Sequence, residues 1–65
     1  MSFAWVYLDG AGGEVGRSEA FPDRDAAEEW MGRSWEDLLT RGVEEVALED
    51  RDRGRRVYRM GLRAN

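Results

Sequence analysis

Residues 22–42, PDRDAAEEWMGRSWEDLLTRG, carry the one long helical pattern of the chain and so decide where strands can lie. Positions three and four apart share one face of a helix, and here that face carries Ala27, Trp30, Met31, Ser34 and Leu38. Asp23 or Asp25 can cap the start, and Gly42 stands where a left-handed residue often follows a helix. The spacing predicts one amphipathic helix over residues 24–40.

The apolar side of this helix is wider than a single sheet requires. Trp35 and Leu39 extend it to about half of the helix circumference, at ~100° per residue, and Gly32 lies beside them on the same flank. The excess is either covered by a curled hairpin edge or shared with another subunit.

The segment before the helix is rich in aromatic residues and predicts an antiparallel hairpin. Phe3 to Leu8 forms one strand, residues 9–13 a glycine-rich turn, and Glu14 to Phe21 the second strand. Both faces of the first strand are apolar: Phe3, Trp5 and Tyr7 lie on one, and Ala4, Val6 and Leu8 on the other. Strict alternation puts Arg17 and Phe21 on the same face of the second strand. The sequence leaves open which sheet face the helix covers.

The segment after the helix predicts a second hairpin, with strands at residues 43–49 and 55–62. Asp52-Arg53-Gly54 fits a three-residue loop with Gly54 in the left-handed position. That loop sets the register, which pairs Leu48 with Tyr58, Val46 with Met60 and Ala47 with Arg59.

Two hairpins around one helix define the fold class. We expect a single α+β domain over residues 1–65, in ββαββ order, with a four-stranded antiparallel sheet and one amphipathic helix packed on one face.

The residue types that most catalytic mechanisms need are missing. The chain has no cysteine and no histidine, which excludes disulfides and thiolate metal sites and removes the commonest transition-metal ligand and general base. A phosphate loop at residues 10–13 is rejected because Val15 stands where the dinucleotide pattern needs glycine. Ser18 and Ser34 have no histidine to activate them. We therefore expect no enzyme activity, no catalytic residue, no cofactor and no metal.

The small size of the domain favours a partner. Chains this short often need a staple, and without disulfides or metals oligomerisation is the one that remains. An aromatic patch on an uncovered sheet face would be buried by a symmetric dimer or by another protein. We predict a homodimer or a protein-binding accessory module, with these candidate contact residues: Phe3, Trp5, Tyr7, Trp35 and Leu39.

Charge is divided unevenly along the chain. Residues 1–50 hold thirteen acids and four arginines, a net of −9, whereas residues 51–65 hold one acid and six arginines, a net of +5. The basic hairpin suggests an alternative, a nucleic-acid-associated domain that uses Arg53, Arg55, Arg56 and Tyr58. The competing interpretation is that these arginines pair with the acidic strand before them, with Arg59 between Glu45 and Glu49.

The chain gives no targeting or membrane signal. Its start has no basic region, and its longest apolar stretch is six residues, against the ~20 that a membrane-spanning helix needs. Together with the missing cysteines, this predicts a cytoplasmic protein without a membrane partner.

The apolar positions also resemble those of a small family of uncharacterised proteins from high-GC actinobacteria. The likeness rests on Trp5, Gly16, Ser18 and Phe21, then on Ala27 to Trp30, Leu38, Leu39, Gly42, Val43, Val46, Leu48, Val57 and Tyr58. It implies the same ββαββ fold and a cytoplasmic origin, and it brings no activity or site residue.

Overall fold

The computed structural model describes residues 2–62, in which four strands and one helix follow the order ββαββ. They are β1 (Phe3–Leu8), β2 (Glu14–Phe21), α1 (Arg24–Thr40), β3 (Glu45–Asp50) and β4 (Arg55–Gly61). The strands form one antiparallel sheet in the order β2-β1-β3-β4, so β2 and β4 are its edges. The predicted α+β class is confirmed. The predicted domain of residues 1–65 includes Met1 and residues 63–65, which lie outside the described residues.

The helix ends follow local rules of capping. Asp23 has an extended backbone, and its Oδ1 accepts a hydrogen bond from the Ala26 N–H at 2.8 Å, so Asp23 rather than Asp25 is the N-cap. At the other end Gly42 has a φ of +95°, and the next residue, Val43, donates its N–H to the Leu38 carbonyl at 3.1 Å. These contacts fix both ends of α1 within the span that the sequence predicts.

The helix covers the sheet face that carries Phe3 and Trp5. Trp5 is 0% exposed, and its indole Nε1 donates to the Ala27 carbonyl of α1 at 2.8 Å. The rest of this core comes from β2, α1, β3 and the segments beside them, with Tyr58 of β4 partly buried against it, and includes Phe21, Met31, Leu38, Val43, Val46, Leu48 and Leu62. The hypothesis of an aromatic patch on the uncovered face is therefore wrong. Phe3 and Trp5 are buried beneath α1, and Tyr7 is half-buried against the same core.

A bulge in β2 overturns the predicted alternation of that strand. Ala4 pairs with Ala20 and Val6 with Arg17, so two residues of β2 stand opposite Trp5. One of them, Ser18, accepts the Trp5 N–H with its hydroxyl at 2.8 Å. The extra residue puts Phe21 under the helix and Arg17 on the opposite face.

The β3–β4 pairing confirms the predicted register up to one point. Val46 pairs with Met60, Ala47 with Arg59 and Leu48 with Tyr58. The register then shifts, so Asp50 pairs with Arg55 and the loop holds residues 51–54, one more than predicted. Gly54 has a φ of +65°, as the sequence predicts. The Asp50 carboxylate accepts the N–H groups of Asp52 and Arg53 at 3.1 and 3.3 Å, which supports the longer loop.

The sheet face away from the helix holds a second, smaller core. Val6, Leu8 and Ala47 are 0% exposed there. Arg17 donates to Glu49 of β3 at 2.6 Å, and since β1 lies between β2 and β3, this ion pair crosses over β1. The methylene groups of such long side chains can cover apolar residues while their charged ends stay in water. This face is therefore sealed within the protomer.

Candidate functional site

An open apolar groove of about 390 Å³ lies between one flank of α1 and strand β4. Its helix side is formed by Glu28, Met31, Gly32 and Trp35, and its strand side by Tyr58, Met60 and Gly61. Trp5 also lines it, which connects the groove to the main core.

Sheet order explains why the groove exists. The short β2–α1 connection brings the helix back over β1 and β2, and α1 packs against those two strands. Strand β4 lies at the far edge of the sheet. The helix is too narrow to cover all four strands, since its diameter with side chains is about 10–12 Å and strands are spaced about 4.8 Å apart.

Large apolar side chains are exposed on both walls of the groove. Trp35 on α1 is 36% exposed, and Met60 on β4 is 38% exposed. The wide apolar flank predicted around Trp35 therefore faces this groove. Leu39, predicted beside it, is half-buried and packs against the core. A contact role for Trp35 and Leu39 stays a prediction.

A polar cluster closes one side of the groove. The Tyr58 hydroxyl donates to Glu28 Oε2 at 2.8 Å, and Arg24 Nε donates to the same oxygen at 3.0 Å. The Arg24 guanidinium lies 5.0 Å from the centre of the Tyr58 ring, and the Trp5 ring meets that ring edge to face at 5.9 Å. Tyr58 is thus held by contacts at its hydroxyl and its ring.

This cluster shifts the acidity of two groups in opposite directions. Burial, followed by the hydrogen bond and charge of Glu28, raises the pKa of Tyr58 to about 12. The hydrogen bond from Arg24, followed by that from Tyr58, lowers the pKa of Glu28. Glu28 is therefore a carboxylate at neutral pH, and Tyr58 remains its donor.

Titration of the phenol tests the cluster. In a Tyr7→Phe background, which leaves Tyr58 as the one tyrosine, ultraviolet absorbance is expected to show ionisation near pH 12 instead of about pH 10. The folded state holds this proton more tightly than the unfolded chain. The contribution of Tyr58 to the free energy of unfolding is therefore fully present below about pH 10, and it is lost as the pH rises through the pKa of Tyr58 in the folded state.

A Glu28→Gln substitution is the matched change for this titration. It is expected to move the Tyr58 midpoint towards the ordinary value, because it removes the nearby negative charge. Circular dichroism, followed in parallel, reports whether the protein is still folded at each pH. The contact between Tyr58 and Glu28 would be contradicted if Tyr58 in the folded protein titrated at the ordinary tyrosine value, or if its titration midpoint did not change in Glu28→Gln.

The structure separates the residues of the predicted nucleic-acid surface. Arg56 pairs with Glu49 and Arg59 with Ala47, on the sheet face opposite Tyr58. Arg53 lies in the loop, with Nε 3.8 Å from Asp50 Oδ2, and Arg55 stands opposite Asp50. Tyr58 itself is packed on the helix side. These four candidates therefore do not form one stacking surface.

The prediction that Arg59 pairs with Glu45 and Glu49 of β3 is wrong, although Arg59 does stand opposite Ala47 as expected. Glu49 is bound by Arg17 of β2. Within the described residues, neither Arg56 nor Arg59 has an ion-pair partner within 4.0 Å. These two arginines of β4 therefore lie on the outer face of the sheet without a close ion pair to any described residue. The pKa of Glu14 on β2 is lowered first by the hydrogen bond from Arg17, and the charge of Arg56 helps to lower it further.

Residues 2–62 form no metal site. They contain no group of three or more acidic, histidine or cysteine side chains placed to hold a metal ion. Their buried side-chain polar atoms all have a hydrogen-bond partner. The helix they contain is neither long enough nor apolar enough to cross a membrane.

Comparison with known proteins finds no match: no protein-family model, no curated protein and no solved structure aligns with the chain. The resemblance to the actinobacterial family stays a prediction.

Several groove residues were not identified from the sequence. The alternating pattern of β4 placed Met60 on the apolar face of that strand. It did not identify Gly61 or Glu28 as groove residues. The groove depends on β4 being an edge strand and on α1 lying over the other half of the sheet. Neither fact is visible in the spacing of residues along the chain.

Proposed function

We propose that this domain is a non-catalytic protein-interaction module and that the groove between α1 and β4 is its contact surface. One observation carries the proposal: Trp35 and Met60 remain exposed on facing walls of an apolar groove, although the rest of the core is well buried. Tryptophan and methionine are enriched in protein interfaces, and tryptophan often contributes a large share of the binding energy.

The groove also suits a polypeptide ligand in its chemistry. Its walls are apolar side chains, while Glu28 and Arg24 lie at its edge. An apolar centre with a polar rim is the arrangement found in protein interfaces. The occupant that we propose is a segment of a partner protein, and a second copy of this chain is the alternative that the experiment must distinguish.

Site-specific crosslinking in the native cells tests the proposal. A photo-reactive side chain at position 60 is expected to give one product of defined mass with a partner protein. The same group at Val15, which is 56% exposed and does not line the groove, serves as the control. The product should be lost when Trp35→Ala is added.

Three results would count against this function. One is crosslinking that is equal at positions 15 and 60, another is no product at either position, and the third is a product that survives Trp35→Ala. A product with twice the chain mass of 7.5 kDa would show that the groove binds a second copy, and light scattering across protein concentration would check it. In that case the groove would be the contact surface of a homodimer and not the binding site of a different protein.

A further inference from the structure

We infer that the occupant of the groove is an extended segment of the partner in which acidic and apolar residues alternate, bound as an added strand along the free edge of β4. This inference rests on the proposed function, because it names the partner chemistry for the same groove. Four observations lead to it: an unexplained glycine in α1, the exposed edge of β4, the two arginines on its outer face, and the chemistry of β3.

One glycine of the helix, Gly32, leaves space open in the groove. Gly32 in α1 lines the groove, its φ is not positive, and a Cβ placed on it meets no atom within 4 Å beyond its chain neighbours and the backbone of its own helix. Gly61 of β4 also has space at its Cβ position, but it pairs with Glu45, so that space lies on the sheet face away from the helix. Each of the other six glycines has either a positive φ or a side chain near its Cβ position. A glycine inside a helix costs about 0.5–1 kcal/mol relative to alanine. No internal contact of the fold explains Gly32, and a ligand in the groove does.

The edge of β4 offers backbone groups beside this space. β4 is the last strand in the sheet order, and six of its seven residues are exposed. The opposite edge, β2, has two irregularities in its register with β1, whereas β4 has one, at Val57, and pairs regularly with β3 over residues 58–61. Bulges protect an edge from strand addition, and a regular exposed edge accepts it. An extended peptide therefore fits β4 better than β2.

Each face of an added strand would meet a different chemistry. Successive side chains of a strand point to opposite faces. On the helix side they would reach Trp35 and Met60, and on the other side they would reach Arg56 and Arg59. Apolar side chains suit the first pair and carboxylates suit the second, so the complementary segment alternates between the two.

Strand β3 shows that β4 already pairs with a segment of this kind. Val46 and Leu48 of β3 lie on the helix side, and Glu45 and Glu49 lie on the arginine side. A partner on the free edge would repeat this pattern. A second copy of β4 would not, because antiparallel β4–β4 pairing sets the arginines of one copy beside those of the other, and facing like charges are destabilising.

A labelled peptide with the sequence of residues 43–50, VEEVALED, is a direct probe. Fluorescence polarisation with the full chain is expected to show saturable binding that weakens as salt is added. Gly32→Leu should abolish binding because the new side chain fills the groove, while folding stability is kept or raised because leucine is a better helix former than glycine. Binding together with retained stability excludes misfolding as the cause of the loss.

Charge is tested with matched double variants. Arg56→Glu with Arg59→Glu should weaken peptide binding by at least about tenfold, since two charge-assisted contacts become repulsive. Arg33→Glu with Arg41→Glu changes the net charge equally at sites paired with Glu29 and Asp37 on α1, and should have little effect. A peptide with lysine in place of each acid should not bind to the unmodified protein.

The outcomes separate this inference from the proposed function. If Gly32→Leu removes the position-60 crosslink but the acidic peptide does not bind, or binds equally to both double variants, the groove is a contact surface and the inference about its ligand is wrong. If Gly32→Leu leaves that crosslink unchanged, both proposals fail. Binding of the lysine peptide as tightly as the acidic one also overturns the inference.

Discussion

Replacing Trp5 with alanine is expected to lower the free energy of unfolding by about 3–5 kcal/mol. The side chain is fully buried, lies on an interior strand, and donates a 2.8 Å hydrogen bond to the helix at the Ala27 carbonyl. The substitution removes the largest of the fully buried side chains and, with it, the hydrogen bond that joins β1 to α1. At about 0.05–0.15 kcal/mol per residue, a domain of this length has roughly 3–10 kcal/mol of stability in total. The variant should be largely unfolded or close to it.

Urea unfolding followed by circular dichroism measures this loss, because tryptophan fluorescence itself changes in the variants. Trp35→Ala is the matched control, since it makes the same chemical change at a side chain that is 36% exposed. Trp5→Phe keeps most of the volume and removes the indole donor, so an intermediate loss of about 1–3 kcal/mol is expected. Equal losses for Trp5→Ala and Trp35→Ala would contradict the assignment of Trp5 to the core and Trp35 to the surface.

Replacing Leu8 with alanine is expected to cost about 2–5 kcal/mol, a typical range for a fully buried leucine. Leu8 lies on the sheet face that the helix does not cover, and it packs there with Val6 and Ala47. On an exposed sheet face the same change would usually stay within about 0.5 kcal/mol. The experiment therefore measures whether this face is a sealed second core.

The control for Leu8 is Val57→Ala on the edge strand β4, where the side chain is 41% exposed. It should change the unfolding midpoint in urea only slightly. Arg17→Ala in the same assay reports on the ion pair that crosses β1, and about 0–1 kcal/mol is expected because the Arg17 side chain is 47% exposed. If Leu8→Ala changed the unfolding midpoint as little as Val57→Ala does, this sheet face would not be a sealed second core.

Local pattern was sufficient for the elements and for most of one register. The span of α1 follows from the spacing of its apolar residues and from its cap at Asp23, which acts over three residues. The β3–β4 register follows from two adjoining strands whose patterns agree in only one alignment. In both cases the interacting residues are close in sequence, so few alternative arrangements compete.

The bulges could not be read from the same pattern. At Ser18 a side-chain hydroxyl takes the Trp5 N–H that a β2 carbonyl would otherwise accept, and the strand gains one residue. At Val57 the register shifts because the turn carboxylate of Asp50 supports a four-residue loop. Each bulge moves the side chains beyond it to the other face. Alternation therefore failed for Arg17 and Phe21, which it had placed together.

The chain by itself determined the one helix and four strands of residues 2–62, their ββαββ order along the sequence, and the absence of cysteine and histidine, because these follow from composition and from contacts between near neighbours. The tertiary structure decided which face of β1 is covered. Both faces of that strand are apolar, so the alternation of its residues does not distinguish the face that packs against α1. In the folded domain it is the Trp5 face, which contacts α1 through the hydrogen bond to Ala27. Packing also decided the groove, because a helix lying on β1 and β2 cannot shelter β4 at the far edge.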